Sequence, residues 1–194
     1  MAASGPNNAV TDIEGLIVGH YTDMDAVCGV TVVICPEGAV AGVDVRGSAP
    51  GTRETDLLDP INLVESAQAV VLSGGSVFGL AAADGVVRWL ADQGYGFPVD
   101  KGQVVPIVPA AVLYDLGRGR GFIPSVSDEW GLGACRTAKG GTVSMGGIGA
   151  GTGAMGFLVN TDMETDEGWW FQGPDGTTQG YSTDQAHDGS RAAR

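Results

Sequence analysis

Residues 69–94 read AVVLSGGSVFGLAAADGVVRWLADQG, and this stretch decides the fold class. Its opening, AVVLS, is an apolar run of strand length. Gly74, Gly75 and Ser76 interrupt it, and a helical pattern follows over residues 77–93. Val77, Leu80, Ala81, Val87, Leu90 and Ala91 recur at helical spacing, while Asp84, Arg88 and Asp92 occupy the opposite side at four-residue steps. Gly94 suits the position just past a helix C-terminus. A strand that turns through glycines into a helix is the building unit of an α/β fold. It also places backbone N–H groups and a serine hydroxyl at the mouth of a sheet, where ligands are commonly held. Gly74, Gly75 and Ser76 are therefore candidate substrate-side residues. The plainer alternative is a tight turn with Ser76 as the helix N-cap.

On the N-terminal side, residues 16–20 and 30–35 read as strands. The second, VTVVIC, is rich in β-branched residues and has no polar face, which predicts burial on both sides. Pro36-Glu37-Gly38 signals a turn, and residues 39–45, AVAGVDV, are expected to return as the partner of a hairpin. Residues 46–60 read as a long polar loop, functional or floppy. Asp44 and Arg46 beside it are expected to be an exposed pair. A short helix or turn is expected at 62–68.

On the C-terminal side, residues 104–116, VVPIVPAAVLYDL, are apolar but carry Pro106 and Pro109, which predicts an edge or bulged strand. Tyr114 near its end is a candidate hydrogen-bond donor to a developing oxyanion. Its alternative is a core tyrosine with the hydroxyl at the surface. Residues 127–139 read as a second helix with Ser127 as N-cap and acids in the first turn. Residues 140–154 are saturated with glycine. Beyond Val159 no Val, Ile or Leu occurs, and residues 155–194 are acidic and aperiodic apart from the cluster Trp169, Trp170, Phe171. That composition predicts a disordered tail following a folded region of residues 1–154.

Composition narrows the functional classes. The 194 residues carry 43% hydrophobic side chains, 33 glycines and a formal charge of −13. So acidic a chain cannot hold a nucleic-acid backbone by counterion release, and an anionic membrane surface is disfavoured for the same reason. The N-terminal MAASGPNNAVTDIEG has neither a basic nor an apolar signal region, so no signal peptide and a cytoplasmic location are expected. No apolar run reaches membrane-spanning length. Cys28, Cys35 and Cys135 have no metal-ligand spacing and read as free thiols of a reducing compartment. His20 and His187, the two histidines, lie outside any zinc motif.

The glycine motifs do not complete familiar catalytic patterns. GGSVFG at 74–79 is not a nucleophile elbow, because Phe78 stands where the last glycine belongs. A triad would need His20 from the first strand or His187 from the tail. GIGAGTG at 147–153 lacks the lysine of a phosphate-binding loop, and the pattern of a dinucleotide fingerprint does not surround it. No cofactor is expected.

Several blocks, taken together and in order, resemble the DmpA-like L-aminopeptidase/D-esterase family, which includes β-aminopeptidases and the nylon-oligomer hydrolase. They are TDIEGLIVGHYTD (11–23), GVTVVICPEGAVAGVDVRGSAPGTRETDLL (29–58), VVLSGGSVFGLAAADGVVRWL (70–90), VPIVPAAVLYDL (105–116) and GAGTGA (149–154). The resemblance implies an α/β/β/α sandwich and a precursor that cuts itself into α and β chains. The Ser or Thr freed at the new amino terminus would attack amides or esters of N-terminal residues and form an acyl-enzyme. Substrates would be small peptides and amino-acid amides or esters, and the protein a homo-oligomer or the partner of a C-terminal β chain.

Tyr114 then matches the family tyrosine that supports the oxyanion, and Asn160 after FLV echoes the family's oxyanion asparagine. Directly after Ala154 the chain departs from the family pattern. No lysine follows in residues 155–159, and neither Asn160-Thr161 nor Gly189-Ser190 is followed by the apolar strand that a cleavage point carries. The expected nucleophile is thus not identifiable, and a truncated or frame-shifted, catalytically inactive remnant is the alternative expectation. Uncovered sheet edges would make it poorly soluble or self-associating.

Overall fold

The computed structural model describes residues 5–154, together with the backbone of residues 169–172 and 178–181. The chain divides into two units, Met1–Ala154 and Met155–Arg194. The first unit runs β1 (Ile17–Asp23), β2 (Cys28–Ala39), β3 (Thr52–Arg53), β4 (Ala67–Ser73), α1 (Ala82–Asp92), β5 (Phe97–Pro98), β6 (Val104–Val105), β7 (Ala110–Val112) and α2 (Asp128–Thr137). Five strands form one sheet in the order β1-β2-β4-β7-β3, and β5 pairs with β6 apart from it.

Strand alternation sets the two faces of the sheet. Val30, Val32 and Ile34 of β2 are fully buried, and so is Val71 of β4. Val32 pairs with Val71 and Ile34 with Ala69, so these side chains line one face. They join Ala82, Ala83, Val86 and Leu90 of α1 and Trp130, Ala134 and Cys135 of α2 in one core. The helices pack closely because glycines meet backbone at their crossing. A Cβ on Gly85 would collide with the Asp128 carbonyl, and one on Gly131 with that of Ala82. The opposite sheet face is apolar as well, yet Val70 is 38% and Leu72 43% exposed. The expected burial of VTVVIC on both sides therefore holds on the helix side, while Thr31, Val33 and Cys35 are half-buried.

Several local expectations are corrected. The hairpin joins β1 to β2, with Ile17 opposite Ile34 and Asp23 opposite Cys28. β2 runs through Pro36-Glu37-Gly38 to Ala39 by a register shift after Ile34, so those residues make a bulged strand end rather than a turn. Residues 40–45 form no strand, and Val40 is 89% exposed. The proline-bearing segment splits in two: β6, before Pro106, is an edge strand paired with β5, while β7, after Pro109, is not an edge. β7 lies between β4, to which it is parallel, and β3, to which it is antiparallel. Its ladder begins after Pro109, and the prolines need only offer carbonyls: Pro109 accepts the Val71 N–H at 3.0 Å.

The helix after β4 also begins differently. Residues Ser76–Ala81 form a tighter 3-10 turn, and the α-helix starts at Ala82. The change of pitch rotates the apolar stripe, so Val77 is 62% exposed and Ala82, Ala83 and Val86 face the core. The loop at 46–60 is tied down. Arg53 Nη1 pairs with Asp84 Oδ1 at 2.6 Å, and Glu54 Oε2 accepts the Val108 N–H at 2.9 Å. Arg46 and Asp44 form the exposed pair that was expected, at 2.7 Å. α2 begins one residue after Ser127, which caps it through its backbone carbonyl to the Trp130 N–H rather than through its side chain.

In the second unit, β8 (Trp169–Gln172) pairs antiparallel with β9 (Thr178–Tyr181). The composition reading placed no strand there, although Trp and Phe favour extended backbone. The remaining tail residues, including His187, lie outside the described residues. No helix among the described residues is long and apolar enough to cross a membrane.

Candidate active site

β4 and β7 run parallel and end side by side at Ser73 and Val112. Ligands of α/β sheets are generally held beyond such carboxyl ends. Here the glycine turn leaves β4 and Leu113-Tyr114-Asp115 leaves β7. The two are stitched together: the Leu113 N–H donates to Ser73 O at 2.8 Å, and the Ser76 N–H donates to Leu113 O at 2.8 Å. The turn that carries Gly74, Gly75 and Ser76 is therefore joined, beyond the ends of two interior strands, to the segment that carries Tyr114.

The turn is sharp. Gly75 has φ 84°, open to glycine, and Ser76 follows at φ 54°, uncommon for a residue with a Cβ. Gly75 occupies the N-cap position that the sequence assigned to Ser76, and no side chain caps this helix end. Gly74 and Gly75 are buried and Ser76 is half-buried. Tyr114 is 75% exposed, so the core alternative for this residue falls and its phenol stands free at the edge of the sheet. Asn160 lies outside the described residues.

Sequence reasoning missed Asp115. It is 2% exposed, and its Oδ1 accepts the Gly75 N–H at 2.5 Å. The available signal was an acid directly after an apolar strand, where a solvated loop residue was the easy reading. Beside it lies Cys28, whose thiol is pushed up to about 12 by burial, with the Asp115 carboxylate adding to the shift.

The second glycine motif docks against the same sheet. The Gly149 N–H donates to Thr22 Oγ1 at 2.8 Å and the Ala150 N–H to Thr31 Oγ1 at 3.1 Å. His20 Nδ1 lies 2.9 Å from Thr31 Oγ1. His20 thus supports the GAGTGA loop, away from the GGSVFG turn. Burial lowers its pKa from the ordinary 6.5, against a smaller opposing effect of the Ser144 backbone.

These shifts set a pH window for stability. The folded state keeps His20 neutral, so an unfolded chain takes up its proton first and stability falls as pH drops below 6.5. Cys28 and Cys135 are both raised from 9.0 to about 12, so the unfolded chain loses their protons first and stability falls as pH rises above 9.0. Denaturation midpoints measured across pH are expected to be highest between these limits. A midpoint still rising past pH 10 would contradict the assignment for the two thiols.

An apolar groove of about 300 Å³ lies near this edge, on the sheet face away from the helices. Val43, Val45, Thr52, Val70, Ala111 and Val112 are among its lining residues.

Comparison with known proteins places the chain in a family. The model of Peptidase family S58 matches residues 8–161. An uncharacterised aminopeptidase of Mycobacterium leprae is 49% identical over 177 residues, covering 84% of this chain and 48% of that protein. One of Mycobacterium bovis is 50% identical over 152 residues, covering 74% and 43%. The chain thus spans about half the length of the curated relatives it matches. Among solved structures, the L-aminopeptidase D-Ala-esterase/amidase of Ochrobactrum anthropi, described as a variant of the Ntn hydrolase fold, superposes with a TM-score of 0.62 at 20% identity. That match covers 93% of this chain and 53% of the other. A β-aminopeptidase of Burkholderia sp. gives 0.59 at 22% identity, covering 93% and 52%.

Proposed function

Because this chain belongs to peptidase family S58, we propose that it contributes the scaffold and oxyanion side of an aminopeptidase or amidase acting on N-terminal residues of small peptides, amides or esters. The observation that supports this reading is that Leu113 and Asp115, on either side of Tyr114, are bonded to the Gly74-Gly75-Ser76 turn at the carboxyl ends of two parallel strands. An exposed phenol there can donate to the oxygen that gains charge as an acyl carbon becomes tetrahedral. The N–H groups of Gly74, Gly75 and Ser76 are spent on Gly29 O, Asp115 Oδ1 and Leu113 O, so the turn gives rigidity and the phenol is the donor. The nucleophile in this reading is a Ser or Thr hydroxyl at an amino terminus freed by self-cleavage. It comes from outside the described residues or from a second polypeptide, with which the chain assembles. The apolar groove beside β7 suits the side chain of the residue released.

The test is direct. Purified chain is incubated with an amino-acid p-nitroanilide and run on a denaturing gel, and any new amino terminus is sequenced. Nitroaniline release together with a new N-terminal Ser or Thr supports the reading. An intact band with no turnover favours a catalytically inert remnant of the family.

A further inference from the structure

We infer that Asp115 is a positioning residue of this site: its buried carboxylate sets the Gly75–Ser76 turn on one side and seats the GAGTGA loop on the other, and so fixes where Tyr114 stands. The inference rests on the functional reading above for its catalytic consequence, but not for its geometry.

A carboxylate 2% exposed is expensive to keep away from water unless it is well partnered. Oδ1 has its partner in the Gly75 N–H at 2.5 Å. Oδ2 is buried with no hydrogen-bond partner among the described residues. Its neighbours explain what it is aimed at. A Cβ on Gly74 would collide with this oxygen and also meet the Cys28 sulfur. A Cβ on Gly153 would collide with the same oxygen from the other motif. Two glycines from distant parts of the sequence thus leave room for one carboxylate. The neighbouring Cys28 thiol stays protonated and is a weak donor beside it.

The effect on Tyr114 follows from the chain path. Tyr114 and Asp115 are adjacent after β7, one 75% exposed and the other 2%. Anchoring Asp115 inside anchors the backbone that carries the phenol. The same carboxylate holds the first of two consecutive left-handed residues, Gly75 at φ 84°, while Leu113 O holds the second, Ser76 at φ 54°, and such backbone persists only when its surroundings enforce it. A site that must present a donor to a developing charge gains from this rigidity, since a misplacement of about 1 Å can lower turnover about a hundred-fold.

The test uses the full chain, Asp115→Ala and Asp115→Asn. Asparagine retains an acceptor for the Gly75 N–H, whereas alanine does not. In the unmodified chain the Gly75 amide proton is expected well downfield of other glycines, as befits a donor to a carboxylate. In Asp115→Ala it moves to the ordinary glycine region and exchanges with solvent faster, and the ring-carbon resonances of Tyr114 shift, while amides of Ile17–Tyr21 and Val32–Cys35, far along β1 and β2 from Cys28, stay in place. Asp115→Asn restores slow exchange. Where turnover is measurable, Asp115→Ala lowers kcat about a hundred-fold with KM nearly unchanged, and Asp115→Asn recovers most of it.

A Gly75 amide at an ordinary position in the unmodified chain would overturn the inference, and this requires no variant to fold. So would Asp115→Ala with unmoved Tyr114 resonances or unmoved kcat, which would leave Asp115 a merely structural residue. If the unmodified chain proves inert while the Gly75 and Tyr114 signals respond as stated, the functional reading fails and the positioning role stands.

Discussion

In the aminopeptidase reading proposed above, Tyr114→Phe is expected to slow hydrolysis of an amino-acid p-nitroanilide by about a hundred- to a thousand-fold in kcat, with little change in KM. That is the range found when a single oxyanion donor is removed. The substitution deletes one oxygen and leaves the ring. Because Tyr114 is 75% exposed, its hydroxyl holds no core contact, and stability should move by no more than about 0.5 kcal/mol. The kinetic and thermodynamic effects therefore separate cleanly. A phenol that acts only on a forming oxyanion is felt in the transition state and scarcely in the bound ground state, which is why the loss falls on kcat. Full turnover in Tyr114→Phe would remove this residue from the reaction.

The second large effect is structural. Leu90→Ala is expected to lower stability by about 2–5 kcal/mol in urea or guanidinium denaturation, the range for truncating a buried leucine. Leu90 is 0% exposed and sits in the core shared by both helices and the sheet. The close glycine contacts between α1 and α2 leave the helices little freedom to shift into a void. Val77→Ala makes the natural control. Read as a plain helix, residues 77–93 put Val77 on the same apolar stripe as Leu90. The 3-10 turn instead leaves Val77 62% exposed, so its truncation should matter by no more than about 0.5 kcal/mol. Equal losses at the two positions would mean that the helix begins at residue 77 after all.

Those two positions show what could be read from the sequence. The strand, the glycine turn and the helix were all legible at 69–94, because hydrophobic period and glycine placement are local signals. The mixed α/β class followed, and the ordered blocks pointed to the family that the comparisons identify. What failed depended on distant partners. AVAGVDV alternates like a strand, but β2 pairs with β1 and β4, and residues 40–45 find no ladder among the described residues. The prolines at 106 and 109 argued for an edge. Yet β7 needs only three residues to lie between two neighbours.

The candidate site was partly legible for the same reason. Tyr114 and the Gly74–Ser76 turn could be named separately, but only the parallel pairing of β4 with β7 brings them together. Asp115 could not be named, because an acid after a strand looks solvated until the GAGTGA loop is seen to close over it.

The three thiols of the chain are unequally placed, and this furnishes a ready-made reporter. Cys28 is 0% and Cys135 2% exposed, and both stay protonated far above neutral pH, so neither offers the thiolate that a maleimide attacks. Cys35 is half-buried and follows Val33 on the side of the sheet turned away from the helices. An alkylating dye should therefore attach once per molecule, at that position. The speed of its attachment then gauges, without any engineered tag, whether another body is resting on those strands at the moment of mixing.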